Sequence, residues 1–271
     1  MVGTRGLECP LCGRPMAITY ADVPDYRYDD TPRDRFDVYR CPDCVLFATD
    51  VADVDLSRYY PGHYAAHGAP GDWPNTTLRR LHDAYVNWTV SRFGIDVLAE
   101  VADLGPPGSL LDVGCGSGRL LSRCDRLGYE VAGCDVSQNA AQSAAEAFEL
   151  SVDVGRLPEV GYPADHFDVV VYNHSLEHVS EPLEYAAETE RICAPGGHVV
   201  VAVPNSCSFE RRVFGRHWSE LDVPRHVYHW SPVALDRLMG RDGFELVGRR
   251  FTRSPRPMAH SLNRALLNSI G

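Results

Sequence analysis

The run Ser109-Leu-Leu-Asp-Val113, followed at once by Gly114-Cys-Gly116-Ser-Gly118, constrains this chain more than any other stretch. A short apolar run that ends in three alternating glycines predicts a strand that stops and a tight turn before the next element. Residues 119–127 then read as a helix and 129–134 as a second strand, closed by Asp135, with Ser137 placed to cap a further helix. Phe167-Asp-Val-Val-Val171 is the β-branched run of a central parallel strand buried on both faces. A helix beginning near Glu181 is expected to end at Ala194-Pro-Gly-Gly197, with a strand at 198–203 after it. This alternation predicts an α/β chain with a doubly wound, mostly parallel sheet. Strand, glycine loop, helix, strand and acid together bring backbone N–H groups close to an adenosine and present a carboxylate to its ribose. The spacing is GxGxG and not the GxGxxG of the dinucleotide fingerprint, and Asp112 stands just before the loop.

A second constraint lies near the start. Cys9-Pro-Leu-Cys12-Gly is followed, after 28 residues, by Cys41-Pro-Asp-Cys44. Two CxxC pairs supply Cys9, Cys12, Cys41 and Cys44, the four thiolates of a tetrahedral structural Zn²⁺ site with no position left for water. Two disulfides or a redox CxxC are the alternatives. Residues 36–40 alternate like a short strand feeding the second knuckle. The chain therefore divides into a zinc-ribbon module at 1–50, a linker at 51–76, and a catalytic domain at 77–271. The linker carries Tyr59-Tyr60-Pro-Gly-His63-Tyr64, expected either to cover an edge of the next domain or to close over a ligand. Leu78, Leu81, Tyr85 and Trp88 have helical spacing within 77–104. Cys115, Cys124, Cys134, Cys193 and Cys207 are scattered, as small buried hydrophobes are.

Charge narrows the partners. The formal net charge is −11, and all 26 basic residues are Arg. Salt adaptation and a GC-rich genome both produce such a composition. An acid excess argues against a nucleic-acid partner, whose binding rests on cationic contacts. No apolar run is long enough to cross a bilayer and none at the start resembles a secretory signal, so the expectation is a cytoplasmic protein with no membrane partner.

Leu110-Leu-Asp-Val-Gly-Cys-Gly-Ser-Gly118 resembles the first motif of class I S-adenosylmethionine-dependent methyltransferases, a Rossmann-like family. Asp135, Phe167-Asp168, Leu176-Glu177-His178-Val179 and Ala194-Pro-Gly-Gly197 are similar to later motifs in the same order, so that the resemblance covers 109–247. It is strongest to the branch of ubiquinone-pathway, natural-product and sugar methyltransferases, where N-terminal zinc modules and a segment like Trp218-Ser-Glu-Leu-Asp-Val-Pro-Arg-His226 also occur. The resemblance implies that S-adenosyl-L-methionine binds at Asp112, Gly114, Cys115, Gly116, Gly118, Asp135 and Val136. It places Leu157 against adenine and Asn173 near the methionine moiety. Arg156 stands where many relatives carry an Asp that accepts from the adenine amine.

The chemistry is expected just past the fourth strand, in His174-Ser-Leu-Glu177-His178. If that stretch is helical, His174, Glu177 and His178 share one face. Relatives with Glu-x-x-Glu-His there bind a divalent cation, which makes Mg²⁺ a candidate cofactor. The other two readings are structural hydrogen bonding by Glu177 and His178, and a general base at His178 or His226. His217, His226, His229, Trp218 and Trp230 lie where substrate would enter, half of them expected to serve only packing. The absence of a D/N-P-P-Y motif argues against amino methylation of DNA bases or protein glutamine. The expected activity is methyl transfer to a hydroxyl or carbon of a small molecule or sugar. An RNA methyltransferase guided by the ribbon and a non-catalytic binding module are the alternatives. A strand at 244–251 and a helix at 259–267 are expected to close the chain, without the usual final antiparallel strand.

Overall fold

A computed structural model describes residues 6–28, 30–61, 96–252 and 256–267. The first cysteine pair sits on a turn in which Gly13 N–H donates to Cys9 O at 2.8 Å, closed by a bridge between Glu8 and Pro15. β1 (Ala17–Pro24) and β2 (Arg35–Arg40) pair antiparallel, and β2 runs directly into the second turn at Cys41. β3 (Phe47–Thr49) leaves that turn and pairs with β2, Val38 facing Thr49. A short 3₁₀ turn, Leu56–Tyr59, follows, its first N–H groups capped by Asp55. The expected linker residues His63 and Tyr64, and the expected helical positions Leu78, Leu81, Tyr85 and Trp88, lie outside the described residues.

The larger half begins with α1 (Val97–Ala102), capped by Asp96. β4 (Ser109–Val113), α2 (Arg119–Arg126), β5 (Glu130–Asp135) and α3 (Gln138–Phe148) follow, α3 starting at the Ser137 cap. Then come β6 (Asp153–Val154), α4 (Leu157–Val160), β7 (Phe167–Asn173), α5 (Pro182–Ile192) and β8 (Cys193–Ala202). These strands pair parallel in the order β6-β5-β4-β7-β8, the doubly wound Rossmann-like sheet. Leu110, Leu111, Val170 and Val171 at its centre are fully buried, each worth about 1.5–3 kcal/mol of removed apolar surface. Strand order reverses beside β4, with β5 on one side and β7 on the other, so a cleft opens at the carboxyl ends of β4 and β7. Ala194-Pro-Gly-Gly197 follows directly on the end of α5 at Ile192 and its cap Cys193. It bulges from β8 between the pairs Phe167↔Cys193 and Val169↔His198, with Gly196 at φ +80°.

After β8 the chain forms α6 (Phe209–Phe214) and then returns to the first sheet. β9 (Tyr228–His229) pairs antiparallel with β3, giving the order β1-β2-β3-β9. Residues 1–50 therefore share a sheet with a segment far downstream. Val23, Phe36, Val38, Phe47 and Tyr59 also share one apolar core with Trp218, Leu221 and Val223. α7 (Pro232–Gly240) and α8 (Arg256–Leu267) complete the described residues, α8 where a helix at 259–267 was expected. The expected strand at 244–251 does not form. Leu246, Val247 and Phe251 are exposed, and Arg249 and Arg250 tie the segment instead to Asp236 on α7 and Glu100 on α1. Among the described residues no helix is long and apolar enough to cross a membrane.

Candidate active site

The glycine loop closes the carboxyl end of β4. Gly114 has φ +72°, and a Cβ there would stand 2.5 Å from the Cβ of Ser175, so the loop and the turn after β7 meet at a distance only glycine permits. Ser175 Oγ donates to Val113 O at 2.5 Å and locks the two together. Asp135 accepts from Gly116 N–H at 2.9 Å through one oxygen and from Ser137 N–H at 2.8 Å through the other. It braces the loop as well as ending β5. Val136 beside it is 69% exposed and forms an apolar lip, and Asn173 is half-buried at the end of β7. Gly118 starts α2 in the left-handed region. Cys115 packs inward, its sulfur against Gly133.

One expectation around this loop changes. Leu157 is fully buried in the main apolar core, so its side chain presents no surface to a base. Arg156 pairs at 3.0 Å with each of Glu159, Glu181 and Glu184, a surface cluster that accounts for its charge without a ligand.

Asp112 lies beneath the loop, fully enclosed, with one carboxylate oxygen lacking a hydrogen-bond partner. Burial, and then the charge of Asp135, push its pKa up to about 7. Its folded pKa exceeds the unfolded value, so the stability it contributes is present at low pH and falls as pH rises through about 7. Asp112→Asn is accordingly expected to change stability little near pH 3.5, where the carboxyl is protonated folded and unfolded alike, and to stabilise the ligand-free chain by about 1–3 kcal/mol at pH 8. Thermal melts at the two pH values check this, and a mutant less stable at pH 8 contradicts it.

The residues expected to carry chemistry do not share a helical face. Only a 3₁₀ turn, Leu176–His178, follows β7, and His174 precedes it with φ +57° and a side chain 64% exposed. His174 Nδ1 lies 3.5 Å from Glu177 Oε1, an ion-pair distance outside hydrogen-bond geometry. Glu177 beside it moves the His174 pKa up. The convergent third group is His226, from the segment after β8: ligand atoms of Glu177, His178 and His226 all lie within 4.8 Å of one another.

Both imidazoles are oriented by backbone. His178 Nδ1 is 2.9 Å from Arg225 O and His226 Nδ1 is 2.8 Å from Glu220 O. A carbonyl only accepts, so each Nδ1 carries a proton; His226 Nε2 lies 3.9 Å from Asp222 Oδ2. Tyr60 O–H, 3.1 Å from His178 Nδ1, adds an aromatic wall from the linker. Glu177 is buried, and neither carboxylate oxygen has a hydrogen-bond partner. Burial raises its pKa, but His174, His226 and His178 outweigh it and hold the carboxyl near 2. Burial, then His226, lowers His178 to about 4 and His229 to about 3, so both are neutral at pH 7. A base of pKa about 4 is poorly matched to proton abstraction at neutral pH, which leaves His178 better suited to hold a cation than to take a proton.

Residues not singled out from sequence support this cluster. Arg225 is completely buried and bonds Asp25 at 2.5 Å and Asp222 at 2.9 Å, while its Nη1 also donates to Tyr59 O. It joins the N-terminal sheet, the linker and the downstream segment at one point. Asp222 and Arg225 at i and i+3 were the visible signal; Asp25, about 200 residues away, carried none. Trp218 and Trp230 are buried core residues, and His217 packs against Tyr26 away from the cluster.

The four sulfurs of Cys9, Cys12, Cys41 and Cys44 likewise converge within 4.8 Å, and all are free thiols. Cys12 and Cys41 Sγ are 3.6 Å apart, far beyond a disulfide bond and close to the edge of a tetrahedron around one ion. Cys44 N–H points at Cys41 Sγ from 3.3 Å, the knuckle arrangement that stabilises a thiolate.

Against known proteins, residues 87–248 match the family model described as a methyltransferase domain. A ubiquinone biosynthesis O-methyltransferase of Cereibacter sphaeroides is 32% identical over 152 residues, covering 52% of this chain and 62% of the relative. Another, from Alkalilimnicola ehrlichii, is 31% identical over 205 residues, covering 70% of this chain and 81% of the relative. The match thus spans under two thirds of the length of the first of these. Among solved structures, the YcgJ protein of Bacillus subtilis superposes with a TM-score of 0.50 at 15% identity, over 63% of this chain and 79% of that one. That likeness speaks to fold alone.

Proposed function

The chain belongs to the methyltransferase-domain family, and we propose that it transfers the methyl group of S-adenosylmethionine to a hydroxyl of a small molecule. The observation that carries this reading is the convergence of Glu177, His178 and His226 within 4.8 Å of one another just past β7, where Ser175 meets the glycine loop, with both Glu177 oxygens buried and without a hydrogen-bond partner. The relatives' name supports oxygen as the acceptor atom. The backbone N–H groups of the loop at Gly114, Gly116 and Gly118 and the carboxylate of Asp135 are the groups that would hold the cofactor. Methyl transfer from a sulfonium is an in-line displacement, so the residues mainly align the acceptor oxygen and help remove its proton.

Glu177, His178 and His226 fit a divalent cation. Once bound, such an ion would supply charge that lowers the pKa of a substrate hydroxyl. The donor set is two imidazoles and one carboxylate, which suits Zn²⁺, Mn²⁺ or Fe²⁺ better than Mg²⁺ with its preference for oxygen ligands. The initial assignment of Mg²⁺ to His174, Glu177 and His178 thus gives way to a different donor set and a softer ion. The four cysteines fit a structural Zn²⁺. The acid excess continues to speak against the RNA reading.

Calorimetry tests the cofactor assignment. S-adenosylmethionine is expected to bind and NAD to give no heat. Asp135→Ala is expected to weaken binding by about 1–3 kcal/mol, through the lost charge-assisted bonds and a loosened loop. Equal affinity of mutant and parent would remove Asp135 from the site. Transfer of a labelled methyl group into a catechol-like or sugar acceptor then separates substrate classes.

A further inference from the structure

The four-cysteine module and the histidine cluster meet at Thr49. This residue ends β3, five positions after Cys44, and is 3% exposed. Its N–H donates to Val227 O at 2.9 Å, and its hydroxyl donates to His226 O at 2.7 Å. Thr49 Oγ1 also lies 3.2 Å from His229 Nε2. A hydroxyl has one proton; having given it to His226 O, Oγ1 accepts from the His229 N–H. One buried side chain therefore holds two members of the downstream segment.

The strand bearing Thr49 is itself fastened at the cysteine end. Ser231 Oγ donates to Cys44 O at 3.2 Å, and the Arg237 guanidinium is 2.9 Å from Cys44 Sγ. In between, Phe47 pairs with His229 and Ala48 with Tyr228. The stretches 44–49 and 226–231 are thus joined at both ends and along their length.

We propose that the four-cysteine module serves to position His226, and that Thr49 is the positioning residue through which it acts. The inference rests on the reading of Glu177, His178 and His226 as the reactive cluster. The His226 ring direction is set by Glu220 O; on its main chain the N–H is held by Asp222 O and the carbonyl by Thr49. Without the hydroxyl, His226 O and His229 N–H are left buried without partners, and the segment must shift to satisfy them.

The test compares Thr49→Val, which keeps shape and removes the hydroxyl, with Thr49→Ser, which restores it. Both are made in the full chain with zinc content measured. Two readouts are taken: labelled methyl transfer with kcat and KM separated, and long-range ¹H–¹⁵N spectra of the imidazoles, with His226 assigned by its loss in His226→Ala. Thr49→Val is expected to keep its metal and its S-adenosylmethionine affinity, to lose about 10- to 100-fold in kcat, and to shift the His226 signals. Thr49→Ser is expected to return both readouts to within about threefold of the parent. Parent-like kcat and unshifted His226 signals in Thr49→Val overturn the proposal, as does Thr49→Ser behaving like Thr49→Val. If Thr49→Val does not fold, Thr49→Ala removes the same hydroxyl and the same two readouts decide. If the parent methylates no acceptor, the functional reading fails on that result, while the imidazole signals still decide the role of Thr49.

Discussion

His226→Ala is expected to reduce kcat by about 100- to 10,000-fold while leaving S-adenosylmethionine affinity within about threefold of the parent. The separation follows from position: His226 converges with Glu177 and His178 within 4.8 Å, whereas the glycine loop is braced by Asp135 and Ser175. Two accounts of the loss differ in what accompanies it. If His226 holds a cation, a chelator that spares the four-cysteine site mimics the mutation, and Glu177→Gln is equally impaired. If His226 takes the proton from the substrate, the chelator has no effect and the mutant loses the acidic limb of the parent pH–rate profile. His178→Ala helps to separate them, because a neutral imidazole held near pKa 4 is a competent ligand and a weak base. Full activity in both histidine mutants, with no effect of chelator, contradicts the assignment of the site and leaves alignment as the whole of catalysis.

Cys41→Ser is the second large effect. Zinc content is expected to fall from about one per chain to near zero, because a small module built around four thiolates depends on its ion to fold. Cys41 lies between β2 and the second knuckle, so the pairing of β2 with β1 and β3 should fail together. A destabilisation of about 4 kcal/mol or more corresponds to roughly 8–16 °C in Tm for a domain of this size. The consequence is expected to extend beyond the module, since Val23, Phe36, Val38 and Phe47 share a core with Trp218 and Leu221. Limited proteolysis should therefore cut near 205–231 as well as near the N-terminus. A mutant that loses metal yet retains the parent Tm and proteolysis pattern shows that the ion is dispensable for this fold. Disulfides found by mass spectrometry in freshly prepared protein contradict the zinc assignment itself.

Much of the catalytic half was legible along the chain. The strand before Gly114, the helix after Gly118, the Ser137 cap and the β-branched run of β7 are local features whose geometry follows from neighbouring residues. The cysteine quartet was legible for the same reason, because each knuckle is built within five residues. Errors arose where a local pattern was overruled. Phe244-Glu-Leu-Val reads as a strand, yet the segment joins neither sheet and lies exposed, with Arg249 and Arg250 paired to Asp236 and Glu100. Leu157 sits beside the cleft in sequence but points into the core.

Sequence alone determined the doubly wound sheet, the glycine loop, the four cysteines that converge in the N-terminal half, and the presence of Glu177 and His178 just past β7. Tertiary structure decided that His174 turns to solvent and that His226 takes the third place. The spacing His174-x-x-Glu177-His178 would have made one face of a helix, but the backbone there is a left-handed residue followed by a single 3₁₀ turn. His226 reaches the site because β9 pairs with β3 and Thr49 holds its carbonyl. Hydrogen bonds between strands so far apart in the chain leave no periodicity in either segment, so only the folded arrangement shows which histidine they deliver.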